Sequence, residues 1–209
     1  MSLRWLSPLS VLLLVGVLWG CQQATIRGDS TIGSDCSGCQ VALPINGWCS
    51  TCDHGLVAGL IISSQQFHEL LDAHGHDVEI ATLQCGMCRI VAPEDEFCSR
   101  CRNGFVAGQL YFSELTWSLA RGVNDASGGG CSGCQKLVGT VGQCPRCATH
   151  WVGTVRFDSG ETAAVAIGQY RRLQMALARL ESCEECAMAG FFGSPCRICG
   201  REPIPDRLK

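Results

Sequence analysis

Sixteen of the seventeen cysteines in this 209-residue chain fall into one repeated pattern: Cys-x2-Cys, a gap of nine residues, Cys-x2-Cys. The four copies are Cys36, Cys39, Cys49 and Cys52; Cys85, Cys88, Cys98 and Cys101; Cys131, Cys134, Cys144 and Cys147; and Cys183, Cys186, Cys196 and Cys199. A Cys-x2-Cys turn puts two sulfurs on one side of a tight knuckle, where backbone N–H groups also point at them. Two knuckles complete a tetrahedral all-sulfur site, with Zn–S bonds of roughly 2.3 Å. Each 17-residue unit therefore carries what one ion needs, and about four zinc ions are expected.

The remaining cysteine, Cys21, has a different setting. Arg4 precedes the apolar run Val11 to Trp19, which breaks at Gly20-Cys21. A charged start, a short apolar stretch and a small residue at the break describe a secretory signal peptide, too short for a spanning helix of about 20 residues. Leu18-Trp19-Gly20-Cys21 resembles the lipobox of bacterial lipoproteins. That resemblance implies cleavage after Gly20, lipidation of Cys21 (palmitate and related acyl chains) and anchoring in the membrane of the cell envelope, facing the periplasm. More than one acyl chain makes such attachment stable. Gln22 and Gln23 stand where an inner-membrane retention signal would place Asp, which favours the outer membrane. An ordinary secretory peptide or an uncleaved anchor is the plainer alternative.

The cysteine units look like zinc ribbons, over four times 17 residues of the chain. Cys144-Pro145-Arg146-Cys147 and Cys196-Arg197-Ile198-Cys199-Gly200 also resemble rubredoxin-type knuckles, which implies iron and electron transfer as the alternative. Rubredoxins, however, space their knuckles by far more than nine residues. Covalent haem is excluded, because Asp53, Arg102, Ala148 and Gly200 follow the second knuckles where histidine would be needed. In an exported protein, even numbers of cysteines usually form disulfides, so eight bridges without metal are a further alternative. Metal is favoured by the constant gap, by the grouping in fours, and by binding energies of roughly 10–16 kcal/mol that shield thiolates once an ion is held.

Charge narrows the partners. The formal net charge is −3; losing residues 1 to 20 removes Arg4, and four sites at −2 each bring the mature chain to about −12. Nucleic acid repels such a chain, since binding it requires Lys and Arg to neutralise phosphates.

The repeat extends beyond the cysteines. Gly55 to Gly59, Gly104 to Gly108 and His150 to Thr154 correspond, and the copies start 49, 46 and 52 residues apart. Each of the first three units is followed by an apolar extended stretch and then a helix. Ser63 with Gln66 predicts a capping box for the first helix, with Phe67, Leu70, Leu71 and His74 on one stripe and a stop at Gly75. The second helix is expected from about Glu114 to Arg121, before a flexible Ser127 to Gly130, and the third from about Glu161 to Glu181 with Ala166, Tyr170, Leu173, Leu177 and Leu180 inward. The fold class expected is a small metal-stapled α+β protein: four zinc-ribbon β-hairpins, the first three each followed by a strand and a helix. The divisions are 1–20 signal peptide, 21–35 tether, 36–84, 85–130 and 131–182 repeats with ribbons at 36–52, 85–101 and 131–147, and 183–209 a terminal ribbon (183–199) and tail without a helix.

Other chemistry is sparse. His68-Glu69-Leu70-Leu71-Asp72 misses the His-Glu-x-x-His metalloprotease pattern at Asp72, although His74 and His76 close by admit an accessory metal site; a solvated helix face is the competing account. Trp48, Phe97 and Trp151 beside the knuckles offer a recognition surface or cover for small cores. Sites filled by four cysteines are closed to substrate, and nothing resembles a nucleophile elbow or a phosphate loop. The expected function is therefore non-enzymatic: a lipid-anchored envelope scaffold or protein-interaction module. It would display loops such as Gln40 to Trp48 and Arg89 to Phe97 to a protein partner.

Overall fold

A computed structural model describes residues 35–205. The signal and tether predicted at 1–34, including Cys21, and the last four residues lie outside them. The described chain is a small mixed α+β protein with three small antiparallel sheets.

The first unit begins with helix α1 (Ser37–Ala42), N-capped by Cys36, and a 3-10 turn over Leu43–Ile45 that has Pro44 in its first turn. Pro suits that position because its missing N–H would have no helical partner. Asn46 ends the turn in the left-handed region (φ 52°). Strands β1 (Trp48–Cys49), β2 (His54–Val57) and β3 (Leu60–Ile62) then form an antiparallel sheet, followed by helix α2 (Gln65–Leu71).

The second unit repeats this with β4 (His76–Asp77), α3 (Gly86–Val91), β5 (Phe97–Cys98), β6 (Asn103–Val106), β7 (Gln109–Tyr111) and α4 (Glu114–Ala120). The third contains β8 (Val123–Asn124), α5 (Ser132–Gln135), β9 (Thr140–Gln143), β10 (His150–Gly153), β11 (Val155–Phe157) and the long α6 (Gly160–Leu180). The last is α7 (Glu184–Phe192), N-capped by Cys183.

Several expectations need correction. The nine-residue gap is not one arm of a simple hairpin: the first knuckle of every unit opens a helix, and only the second sits in a hairpin turn, between β1 and β2, β5 and β6, or β9 and β10. The terminal unit does contain a helix, α7, which lies largely within its gap. The first long helix is capped by Ser64, whose hydroxyl accepts from the Phe67 amide at 2.9 Å, and it stops at Asp72 (φ 45°) rather than Gly75. Of its expected stripe, Phe67 and Leu71 are buried, while Leu70 is exposed. The stretch 127–130 is a set of turns in which the Asp125 carboxylate accepts from the backbone and side chain of Ser127.

Strand pairing also crosses the divisions read from the sequence. β4, which follows the first unit's helix, pairs with β7 of the second unit; β8, which follows α4, pairs with β11 of the third. One shared core then joins all four units: Val57, Ile62, Phe67 and Leu71 from the first, Leu115 and Leu119 from the second, Val152, Phe157, Tyr170 and Leu173 from the third, and Ala187, Phe191 and Ile204 from the last.

Candidate metal centres

Four groups of cysteine sulfurs converge, and in each the ligand atoms lie within 4.8 Å of one another. In the first, Cys36 Sγ is 3.7 Å from Cys49 Sγ and 3.4 Å from Cys52 Sγ, and Cys39 Sγ is 3.6 Å from Cys52 Sγ. In the third, Cys131 to Cys144 and Cys134 to Cys147 measure 3.8 and 3.3 Å. Four sulfurs around one zinc at roughly 2.3 Å stand about 3.8 Å apart, whereas a disulfide requires about 2.05 Å. The sixteen cysteines are all unbridged. Ligands come from both knuckles of the same unit, as the adjacent spacing predicts. The fourth group is looser: Cys183, Cys186 and Cys196 converge fully, and Cys199 joins through Cys186 at 3.1 Å. No strand holds its second knuckle.

The helical first knuckle has an electrostatic consequence. The nearby Cys39 amide and the Cys52 thiol hold Cys36 down to about 7, the Cys88 amide and the Cys101 thiol hold Cys85 down to about 6, and the Cys134 and Gly133 amides lower Cys131. The second cysteine of the knuckle behaves oppositely: burial raises Cys39 and Cys88, and lifts Cys134 to about 12. In the last unit the Cys199 thiol is the main cause of a raised Cys186. At Cys196, burial is outweighed by the Cys199 amide, the Cys186 thiol and the Ile198 amide, which together hold it at about 7. In each group, then, at least one thiol is lowered and at least one is raised. A divalent cation held there would displace thiol protons, and its charge would offset the sulfurs gathered in a partly buried place.

Two side chains outside the cysteines reach sulfur. His54 Nε2 lies 3.5 Å from Cys39 Sγ, and the Thr149 hydroxyl lies 3.2 Å from Cys147 Sγ, which it holds down to about 6. Sequence reasoning missed both, although each stands two residues after a fourth cysteine. Trp151 is fully buried in one small core with Cys134 and Cys144, and its indole N–H has no hydrogen-bond partner. A thiolate at Cys134 is the group beside it that this donor favours. The residue after each second knuckle, Asp53, Arg102, Ala148 or Gly200, is left-handed in all four units (φ 54° to 71°).

The remaining candidates sort clearly. The Trp48 and His68 rings lie 5.6 Å apart and those of Phe97 and Trp117 5.2 Å apart, both tilted, whereas Trp151 is buried in the small core of its own cysteines. His68 does not belong to a protease-like site: its ring lies over Gly55, with Nε2 2.9 Å from the Asn46 carbonyl. Trp117 lies over Gly104 in the same way and donates to the carbonyls of Asp95 and Phe105. Asp72, His74 and His76, however, come together in a fifth group. Among the described residues no helix is long and apolar enough to cross a membrane. The chain matches no protein-family model, no curated protein and no solved structure.

Proposed function

We propose that the protein is a lipid-anchored cell-envelope scaffold whose four cysteine groups each hold a structural zinc ion, as ribbon-like units, and whose exposed loops bind a protein partner. It is not an enzyme. The observation that carries this is the convergence of cysteine sulfurs in every unit, four in each of the first three and three in the last with Cys199 beside Cys186; a site filled by four cysteines would leave no coordination position for substrate. Display is supported by the segments between knuckles, where Val41, Ile45 and Ile90 are 71%, 64% and 67% exposed. Val41 and Ile90 stand on the knuckle helices α1 and α3 and Ile45 on the 3-10 turn that follows α1, where their apolar side chains are presented to a partner. Attachment falls to acyl chains on Cys21, with the periplasmic face of the outer membrane as the expected location.

Native mass spectrometry with metal quantification, followed by thiol counting after denaturation, tests this. Four zinc ions with the sixteen repeat thiols free support it. Coloured protein with a reversible redox couple and bound iron would replace it with electron transfer. Eight bridges and no metal would leave a disulfide-stapled lipoprotein. Anchoring is tested separately: palmitate incorporation and membrane fractionation should both be lost in Cys21→Ala.

A further inference from the structure

We propose that Asp72, His74 and His76 form a fifth metal site, independent of the cysteines, that takes a divalent first-row cation such as zinc and keeps a coordination position open. The Asp72 carboxylate lies 3.0 Å from His74 Nδ1 and 3.0 Å from His76 Nε2. Ligands of one ion bound at about 2.0–2.1 Å stand roughly 3.3 Å apart in a tetrahedral shell, so each ring needs to move from the carboxylate by only tenths of an ångström, and the two ring nitrogens already lie within 4.8 Å of each other. Without the ion, both rings can donate N–H to the carboxylate. On binding, each ring shifts its proton to its other nitrogen and presents a lone pair, so no net proton needs to leave.

The fold prearranges the group. Asp72 is fixed as the left-handed cap of α2, and His76 is locked into β4 by pairing opposite Leu110 of β7. Between them the chain bends at His74 and passes close to β7 at Gly75, where a Cβ would overlap the Gln109 side chain and stand 2.8 Å from Tyr111 Oη. The Phe112 ring packs 4.9 Å from that of His76. Two histidines and one carboxylate, unlike four thiolates, leave vacant positions and suit exchangeable zinc or iron(II). His74 is 67% exposed, and it also lines a cleft of about 320 Å³ shared with Ile45, Tyr111 and Asn124.

The test uses the full chain, with Zn²⁺ titrated into protein already carrying its tightly held metal, followed by the ring-nitrogen NMR shifts of His74 and His76 and by ion counting. One additional zinc that shifts both rings is expected. Asp72→Asn keeps a side chain that tolerates the left-handed backbone, and His74→Ala changes a mostly exposed position; each should weaken the added ion about tenfold or more and leave the tightly held metal unchanged. No added ion, or one that binds both variants as well as the parent, overturns the proposal. The histidine shifts report on this site even if the cysteines prove to be disulfides, so the two failures are distinguishable.

Discussion

Gly55 and Gly104 show how a repeat can keep a glycine for what packs above it. A Cβ at Gly55 would overlap the His68 ring, and one at Gly104 would overlap Trp117. Gly104→Ala is therefore expected to destabilise the protein by about 1–3 kcal/mol through forced displacement of that ring. Gly86→Ala should do the reverse and stabilise by about 0.4–1 kcal/mol, because Gly86 starts α3 with open space where the Cβ would stand. Denaturant unfolding of both variants checks the contrast, and equal effects would show that the ring does not pin the backbone. The sulfurs were legible one by one from spacing alone. His54 and Thr149 were not, since one imidazole or hydroxyl beside a knuckle has no periodicity; only the folded hairpin shows which of them reaches sulfur.

The hairpins after the second knuckle depend on a linkage that neither strand contains. Ala58-Gly59 and Ala107-Gly108 both have positive φ at two successive residues, the mirror-image turn that matches the twist of paired strands. Alanine is a poor occupant of such a position. In both units the chain compensates with a left-handed residue at the end of the 3-10 turn: Asn46 Oδ1 accepts from the Ala58 amide and Asp95 Oδ1 from the Ala107 amide, each at 2.8 Å. Asn46→Ala should cost about 1–3 kcal/mol, because Ala58 is buried and its N–H would be left unpaired. Asp95→Ala should cost less, since its hydrogen bond is exposed to water, which can replace the lost acceptor. Thermal unfolding of the pair measures the difference, and similar losses would refute burial as its cause. The sequence read Leu56 to Ile62 and Phe105 to Phe112 as single extended stretches, so neither the turns that split each into two strands nor the partners twelve residues upstream were legible in it.

Two kinds of core coexist in the molecule. Each of the first three cysteine groups sits in a small satellite cluster of its own: Cys39, Ala42, Leu43, Cys49 and Leu56; Cys88, Val91, Ala92, Cys98 and Phe105; and Cys134, Cys144 and Trp151. The main core, built around α6, contains no cysteine. Metal removal by a chelator should therefore loosen the satellites first. Hydrogen exchange is expected to accelerate in α1 and α3 while amides of α6 near Tyr170 and Leu173 stay protected; simultaneous loss everywhere would mean that metal binding and the main core form one cooperative unit. The sequence by itself determined the cysteine groups, the repeat period, the long amphipathic helix and the acidic balance, because ligand spacing and helical periodicity are local properties. Only the tertiary structure decided that the units share one core and that β4 and β8 cross into the next unit's sheet. Each of those depends on which surfaces meet when apolar faces are buried, and no local pattern of residues encodes that choice.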